Sequence, residues 1–181
     1  MQDITFITGN QDKADYLAKH LNMPVRHHKL DLDEIQSLDL RTVVEHKVRQ
    51  AYEIINGPVL VEDVSLEFSA FGSFPGTFIK FLLEETPFET ICRMVDGLDR
   101  GATARCVFGY YDGARLQLIE GELKGTVADH PAGDNGFGWD KIFIPIGYTE
   151  TRAQLPEADR DATYTIIKPF AELRNFLQSI R

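Results

Sequence analysis

Short apolar runs alternate with polar breaks along this chain and predict strands. Residues 4–8 and 59–61 are compact apolar-rich segments of the kind found in buried strands. Residues 102–111 and 115–124 are rich in residues that favour strands, and the Asp-Gly dipeptide between them is a strong hairpin signal. These segments therefore predict a sheet that contains at least one hairpin.

Apolar residues at helical spacing mark the elements between those strands. Val44, Val48, Ala51 and Ile55 fall on one side of a helix predicted over residues 41–55. The same reasoning predicts helices over residues 11–21, 78–85 and 87–95, a C-terminal helix from about residue 169, and a strand over residues 25–30.

The order of the elements is strand, helix, strand, helix, strand, then helices, a hairpin and a last helix. This order predicts an α/β fold with a mixed sheet. We expect residues 1–181 to form one domain. We also expect the hairpin to form a small lobe of its own, which would leave a cleft between two lobes where ligands bind.

Composition and charge exclude several classes of protein. Hydrophobic residues make up 43% and charged residues 26% of the 181 residues, which is the balance of an ordinary globular domain. The net charge of −9, with no cluster of lysine and arginine, disfavours nucleic acid and anionic membranes as partners. Because no run spans a bilayer, no signal peptide is recognisable and the two cysteines make no disulfide framework, we expect a cytoplasmic protein.

The segment from Thr8 to Lys13 is a candidate phosphate site. A strand ends at Thr8, Gly9 permits a tight turn, and Asn10 can cap the helix that follows. Backbone N–H groups at the start of a helix attract anions, and Lys13 lies one turn into this helix. The segment lacks a P-loop motif, and an ordinary strand–helix turn with a surface lysine explains the same residues.

Three acidic residues are candidate ligands for a metal ion. Glu62 and Asp63 follow the run 59–61, at what we predict to be the carboxyl end of a buried strand, the usual place for a site in an open α/β sheet. Since side chains alternate along a strand, only one of the two can point into a given cleft, where Mg²⁺ is the natural cation. Glu34, in an acidic loop, is the third candidate. A solvated turn or loop is the alternative for all three.

Two helical lysines are candidates for binding a substrate. Lys47 lies three residues after Val44 and four before Ala51, on the apolar face of its helix. Its side chain therefore either extends to the rim of that face or points into a cleft. Lys80 follows a Pro-Gly dipeptide and either binds the substrate or is simply exposed.

Residues 133–140 form a glycine-rich loop that carries two aromatic side chains. Glycines such as Gly138 shape the loop, and an exposed Phe137 or Trp139 would offer a flat face on which a base can stack. Asp140 could accept a hydrogen bond from the base or the ribose. Alternatively, the loop anchors its aromatic residues in the core, which is common for a single tryptophan.

Taken together, these segments resemble the inosine triphosphate pyrophosphatase family, also known as the Ham1-like proteins. The matching segments are TGNQDK (8–13), LDEIQS (32–37), the helix around Lys47, GPVLVEDVSL (57–66), FPGTFIKFLL (74–83) and GFGWDKIF (136–143). They occur in family order and cover nearly the whole chain; GPVLVED and FGWD are the specific ones. The resemblance implies a long mixed β-sheet with flanking helices, two lobes around a central cleft, and a homodimer.

The resemblance also implies a reaction and a role for each candidate residue. The reaction is a house-cleaning hydrolysis of nucleotides such as ITP, dITP or XTP between the α- and β-phosphates. Asp63 would activate water and act with Lys47 in catalysis, while Glu34 and Asp63 bind Mg²⁺ with Glu62 nearby. The substrate-binding residues would be Thr8, Gly9, Asn10, Lys13 and Lys47 for the phosphates, Phe137, Gly138 and Trp139 for the base, and Asp140, Lys80 and Arg160 for further contacts with the nucleotide.

One segment departs from the family pattern. The family usually carries Ser-His-Arg near the C-terminus, which reads the purine 6-keto group, and Tyr164-Thr165-Ile166 stands there in this chain. Arg160 stands where the family usually has lysine. Thr165, Lys168 or the backbone could replace the missing donors. The alternatives are an enzyme with the same chemistry on a different or modified nucleotide, and a nucleotide-binding protein with little catalysis; the retained carboxylates and lysine favour an enzyme.

Overall fold

The computed structural model describes residues 4–9, 11–23 and 25–180 of the chain. The strands in these ranges are β1 (Thr5–Ile7), β2 (Arg26–His28), β3 (Val59–Phe68), β4 (Pro75–Gly76), β5 (Gly101–Tyr111), β6 (Leu116–Val127) and β7 (Phe143–Pro145). The α-helices are α1 (Gln11–Leu21), α2 (Leu40–Ile55), α3 (Ile79–Glu85), α4 (Phe88–Arg93), α5 (Glu157–Ile167) and α6 (Phe170–Ser179), and short 3-10 helices occur at Ser69–Phe71 and Gly138–Lys141.

The strands form one mixed sheet. Its order is β2-β1-β3-β5-β6-β7, and β4 pairs with β3 off that path. Strand β1 is parallel to β2 and β3, with Phe6 opposite both His27 and Leu60. In contrast, β4 runs antiparallel to β3, and β7 runs antiparallel to β6. The predicted α/β fold with a mixed sheet and flanking helices is therefore confirmed.

A tight turn joins β5 to β6, as the Asp-Gly dipeptide predicts. The Oδ1 atom of Asp112 accepts hydrogen bonds from the backbone N–H groups of Ala114 at 3.0 Å and Arg115 at 2.7 Å. Gly113 has a φ of +94°, and a Cβ atom added there would lie 2.2 Å from the hydroxyl oxygen of Tyr52. The positive φ therefore favours glycine at this position, and the Tyr52 side chain of α2 leaves little room for a larger residue.

The chain divides into two compact units. The first contains the residues up to Asp63, the segment Cys106–Glu120 and the chain from Pro169 onward, and the second contains Val64–Arg105 and Gly121–Lys168. Strands β3, β5 and β6 contribute residues to both units. The prediction that the hairpin forms a lobe of its own is therefore wrong, because β5 and β6 pair within the main sheet and neither strand belongs to one unit alone.

Helix α2 packs in the first unit through its predicted apolar face. Val44, Val48 and Ala51 are fully buried and belong to one cluster with residues of β3 and β5. Gly109 of β5 permits this close packing, since a Cβ atom there would lie 2.5 Å from the side chain of Val44. At the helix start, Oδ1 of Asp39 accepts a backbone N–H at 3.0 Å; such a cap is typically worth about 1 kcal/mol.

The predicted helices over residues 11–21, 41–55 and 78–85 are confirmed to within one residue at each end. Helix α5 and the short strands β4 and β7 escape the sequence-based prediction. In α5, polar and β-branched residues interrupt the apolar spacing, and only Thr163 and Ile167 are buried. Along the described ranges, no helix combines the length and apolar character needed to cross a bilayer.

Candidate active site

Strand β3 places the two adjacent carboxylates Glu62 and Asp63 near its middle. The prediction that they lie at the carboxyl end of a buried strand is wrong, since β3 continues for five residues beyond Asp63 to Phe68. Alternation along the strand sends the two side chains to opposite faces of the sheet. The nearly buried carboxylate of Glu62 lies 3.8 Å from the ammonium of Lys13, while Asp63 meets a different lysine.

Lys47 is held between two carboxylates. Its Nζ atom donates hydrogen bonds to Oε1 of Glu34 and to Oδ2 of Asp63, each at 2.7 Å. The Lys47 side chain is 13% exposed, whereas that of Asp63 is 25% and that of Glu34 is 57% exposed. Of the two predicted orientations, the structure therefore shows the inward one. These three residues are called the carboxylate–lysine cluster below.

Charge decides the protonation state of Lys47. Burial alone would lower its pKa, but the negative charge of Asp63 and hydrogen bonds to Asp63 and Glu34 outweigh burial and raise the pKa above its ordinary value. The side chain is therefore a full ammonium at neutral pH. A positive charge at this place is available to balance either carboxylates or the oxygens of a phosphate.

A reciprocal amide–carboxylate contact fixes the loop that carries Glu34. The backbone N–H of Asp33 donates to Oε1 of Gln50 at 2.8 Å, and Nε2 of Gln50 donates to Oδ2 of Asp33 at 3.0 Å. Leu30 and Leu32 pack against the core cluster beneath α2. Gln50 lies one turn beyond Lys47, so one helix positions both the lysine and its loop partner. Sequence reasoning did not find Gln50, whose role depends on a contact between residues far apart in the chain.

Strand β1 is followed by helix α1, as predicted for the segment from Thr8 to Lys13. The backbone N–H of Thr8 donates to the carbonyl of His28 at 3.0 Å, which ties the end of β1 to β2. Gly9 is exposed after the strand, and Lys13 lies on the first turns of α1 with a partly exposed side chain. Asn10 lies outside the described residues. Phosphate binding by this turn stays a prediction.

The carboxylates of Glu34 and Asp63 are suitable ligands for Mg²⁺. Their oxygens already converge on one cation, the Lys47 ammonium, at hydrogen-bond distance. Mg²⁺ in proteins is typically held by one or two carboxylates and completes its shell with water and substrate phosphates. Among the described residues, no group of three or more His, Cys, Asp or Glu side chains converges as a metal site. Glu62, paired with Lys13, is not brought to this pair.

The second unit contains the predicted aromatic loop. Phe137 is 68% exposed, and Trp139 is half-buried at the 3-10 helix that follows. Oδ2 of Asp140 accepts the backbone N–H of Phe137 at 3.2 Å, which closes the loop. Gly136 is required here: its φ is +74°, and an added Cβ would lie 2.1 Å from Oδ2 of Asp140. Because the ring of Phe137 is largely exposed, a flat ligand can stack on it.

Asp140 is also part of a buried ion pair that sequence reasoning did not find. Nε of Arg152 donates to Oδ1 of Asp140 at 2.8 Å, and the two side chains are only 4% and 8% exposed. Nη1 of the same guanidinium donates to the hydroxyl of Thr163 on α5 at 2.6 Å. The arginine therefore links the aromatic loop to α5. The lone Arg152 gave no motif by which it could have been recognised.

The segment that replaces the family's Ser-His-Arg lies in α5. The ring of Tyr164 is faced by the ammonium of Lys168 at 4.8 Å and by the guanidinium of Arg152 at 5.7 Å from its centroid. The hydroxyl of Thr165 donates to the carbonyl of Ala162 at 2.9 Å. Lys168 is also buried. The two side chains predicted as substitute donors, Thr165 and Lys168, therefore already have contacts within the second unit.

The two remaining candidates are both cations of the second unit. Lys80 of α3 is exposed and lies 4.0 Å from Glu84, one turn further along the helix. Nη1 of Arg160 donates to the carbonyl of Leu155 at 3.4 Å. Helix α3 contacts the 3-10 helix of the aromatic loop. Binding of a nucleotide by either cation stays a prediction.

The fold and the carboxylate–lysine cluster define an open-sheet α/β protein whose charged groups suit a phosphate compound. Comparison with known proteins is more specific: the model of the Ham1 family matches residues 4–176. The chain belongs to the Ham1 family.

Individual relatives cover almost the whole chain. The inosine triphosphate pyrophosphatase of Schizosaccharomyces pombe is 38% identical over 184 residues, which cover 99% of this chain and 97% of that protein. The protein of the same name from Yarrowia lipolytica is 37% identical over 180 residues, which cover 96% of this chain and 95% of that protein. A solved HAM1 protein from Coxiella burnetii has the same fold, with a TM-score of 0.85 at 22% identity over 99% of this chain and 100% of that chain.

Proposed function

We propose that this chain is a nucleoside-triphosphate pyrophosphatase that hydrolyses ITP, dITP and XTP to the monophosphate and pyrophosphate. The observation that carries the proposal is the carboxylate–lysine cluster, in which α2, β3 and the loop before α2 bring Lys47, Asp63 and Glu34 together. Relatives named inosine triphosphate pyrophosphatase, 38% and 37% identical over almost the whole chain, support the choice of substrate.

Glu34 and Asp63 are the proposed ligands of Mg²⁺, because their oxygens converge on one cation position. When bound, the ion neutralises phosphate charge and withdraws electrons from the α-phosphorus. Glu62 contributes indirectly, by keeping Lys13 in place on the other face of the sheet. We propose no direct metal contact for Glu62.

Asp63 is the proposed general base. It accepts a proton from a water molecule whose oxygen forms a bond to the α-phosphorus, while the bond from that phosphorus to the bridging oxygen breaks and pyrophosphate leaves. Phosphoryl transfer depends mainly on positioning and charge neutralisation. Lys47 and Lys13 are proposed to supply positive charge to the phosphates, with the Thr8–Asn10 turn providing hydrogen bonds and Lys80 and Arg160 binding further along the nucleotide.

The aromatic loop is the proposed binding site for the base. The exposed ring of Phe137 stacks on the base, and Trp139 lines the same place. Gly138 gives the turn its shape through a positive φ of +58°. Asp140 accepts a hydrogen bond from Arg152 and another from the N–H of Phe137. We propose that the remaining lone pairs of its carboxylate contact the nucleotide.

A second candidate is the same hydrolysis of a nucleotide with a different or modified base. The observation in its favour is Tyr164-Thr165-Ile166, in which the Thr165 hydroxyl bonds to the backbone and the Ile166 side chain offers no donor. A site rejects related bases strongly only if it donates hydrogen bonds to the correct one. We also propose that the protein works as a homodimer, as the family resemblance implies, and that it works in the cytoplasm, as the composition of the chain favours.

Pyrophosphate release from a panel of nucleoside triphosphates tests the proposal. The panel contains ITP, XTP, dITP, GTP, ATP, CTP and UTP, each measured with Mg²⁺ and again with EDTA. We expect Mg²⁺-dependent release that is fastest with ITP, dITP or XTP. Fastest release from another nucleotide would establish the second candidate, and no release from any would contradict the proposed function.

A further inference from the structure

Lys47 occupies the place that a cation ligated by Glu34 and Asp63 would take. We propose that its ammonium is an internal stand-in for the divalent cation: it neutralises the two carboxylates in the resting protein and must leave them before the cation can bind. The inference rests on the proposed function, since that proposal assigns Glu34 and Asp63 to the metal.

The geometry of the cluster makes the two occupants mutually exclusive. Oε1 of Glu34 and Oδ2 of Asp63 are each 2.7 Å from the same nitrogen, so both oxygens point at one position. A divalent ion bound to both oxygens would lie within a few ångströms of the ammonium, where positive charges repel strongly. The ammonium and the ion therefore cannot share these two oxygens.

Packing determines which part of the lysine moves. Helix α2 is fixed on the sheet by Val44, Val48 and Ala51, all of them fully buried. In contrast, four methylene groups give the lysine side chain several rotatable bonds. The ammonium can therefore exchange the carboxylates for another acceptor without movement of the helix, and phosphate oxygens are the acceptors that the proposed substrate brings.

The same cluster would be poorly stable without any cation. Two carboxylates whose oxygens converge repel each other, and the partial burial of Asp63 weakens solvent screening of that repulsion. Lys47 removes the repulsion in the resting state at the cost of competing with the metal. Wild-type protein should therefore bind a divalent cation weakly until a nucleotide draws the ammonium away.

Binding of Mn²⁺ in the absence of nucleotide, followed by its electron paramagnetic resonance signal, tests the inference. We expect Lys47→Met to bind Mn²⁺ at least about tenfold more tightly than wild type, because a competing charge is gone. Lys47→Arg keeps the charge and should show no such gain. Lys124→Met removes an exposed lysine of β6 and should bind as wild type does. Unchanged or weaker binding by a folded Lys47→Met protein would overturn the inference.

Two further measurements separate the inference from the proposed function. Asp63→Asn should weaken Mn²⁺ binding in both the wild-type and Lys47→Met backgrounds; if it weakens neither, both the metal assignment and the inference fail. If Asp63→Asn weakens binding but Lys47→Met does not strengthen it, the inference alone fails.

A crystal structure of the wild-type protein with Mn²⁺ and no nucleotide tests the inference without any variant. It should show the metal on both carboxylates with Nζ of Lys47 displaced; a metal there with Lys47 still bonded to both would refute the competition.

Discussion

The carboxylate–lysine cluster of the first unit and the Asp140–Arg152 pair of the second contain the same kinds of charge in opposite surroundings. Lys47 reaches its partners through a flexible chain, and Glu34 is 57% exposed. Arg152 and Asp140 are 4% and 8% exposed and are bonded further to Thr163 and to the N–H of Phe137. The first arrangement can exchange partners with a ligand, while the second holds a loop in shape. Accessibility, more than the type of residue, distinguishes the groups that we propose to react from those that support a loop.

The largest expected effect concerns the buried pair. Arg152→Ala leaves the Asp140 carboxylate buried without its cation, so we expect the free energy of unfolding to fall by about 3–5 kcal/mol. Urea denaturation measures this loss. Lys47→Met is the matched variant in the other region, and its loss should be clearly smaller because Glu34 and Asp63 both reach water. If Arg152→Ala and Lys47→Met lowered the free energy of unfolding equally, the difference in solvent exposure between the two regions would have no effect on stability.

Asp63→Asn should have the next largest effect, this time on activity. We expect kcat to fall by at least about a hundredfold, because the amide neither accepts a proton nor balances a metal charge. The matched control is Glu62→Gln, one residue away on the other face of the sheet, which should reduce kcat much less. Initial rates of pyrophosphate release from ITP measure both. Near-normal turnover by Asp63→Asn would contradict its role as base.

The smallest expected effect concerns the cap of the helix that carries Lys47. Asp39→Ala should lower the free energy of unfolding by about 1 kcal/mol at pH 7. The side-chain hydrogen bond from Thr42, which outweighs slight desolvation, lowers the pKa of Asp39 in the folded protein. Its stabilisation is therefore present above the ordinary carboxyl pKa and lost as the pH falls through the folded pKa. Denaturation at pH 7 and below pH 3.8 should show the difference from wild type shrinking in acid; a constant difference would mean that the charge of Asp39 has no part in the cap.

Local sequence signals predicted much of the fold and the inward face of the site. The spacing of Val44, Val48 and Ala51 located α2 and left Lys47 on the same side of the helix. The sequence could not decide whether the Lys47 side chain extends to the rim of the helix face or points inward. That choice depends on which groups β3 and the loop before α2 bring near the lysine. The family resemblance named Glu34 and Asp63, and the structure places both of them at Lys47.

The sequence by itself determined the elements whose signals are local: the apolar period of α2, the Asp-Gly turn between β5 and β6, and the alternation that separates Glu62 from Asp63. Only the tertiary structure decided that β3 runs on through those two carboxylates. The physical reason is that lysines from α1 and α2 neutralise one carboxylate on each face, so the charges need not end the strand. The tertiary structure also decided that Arg152 pairs with Asp140. An ion pair depends on the distance between two side chains in space, so it produces no periodic pattern in the sequence.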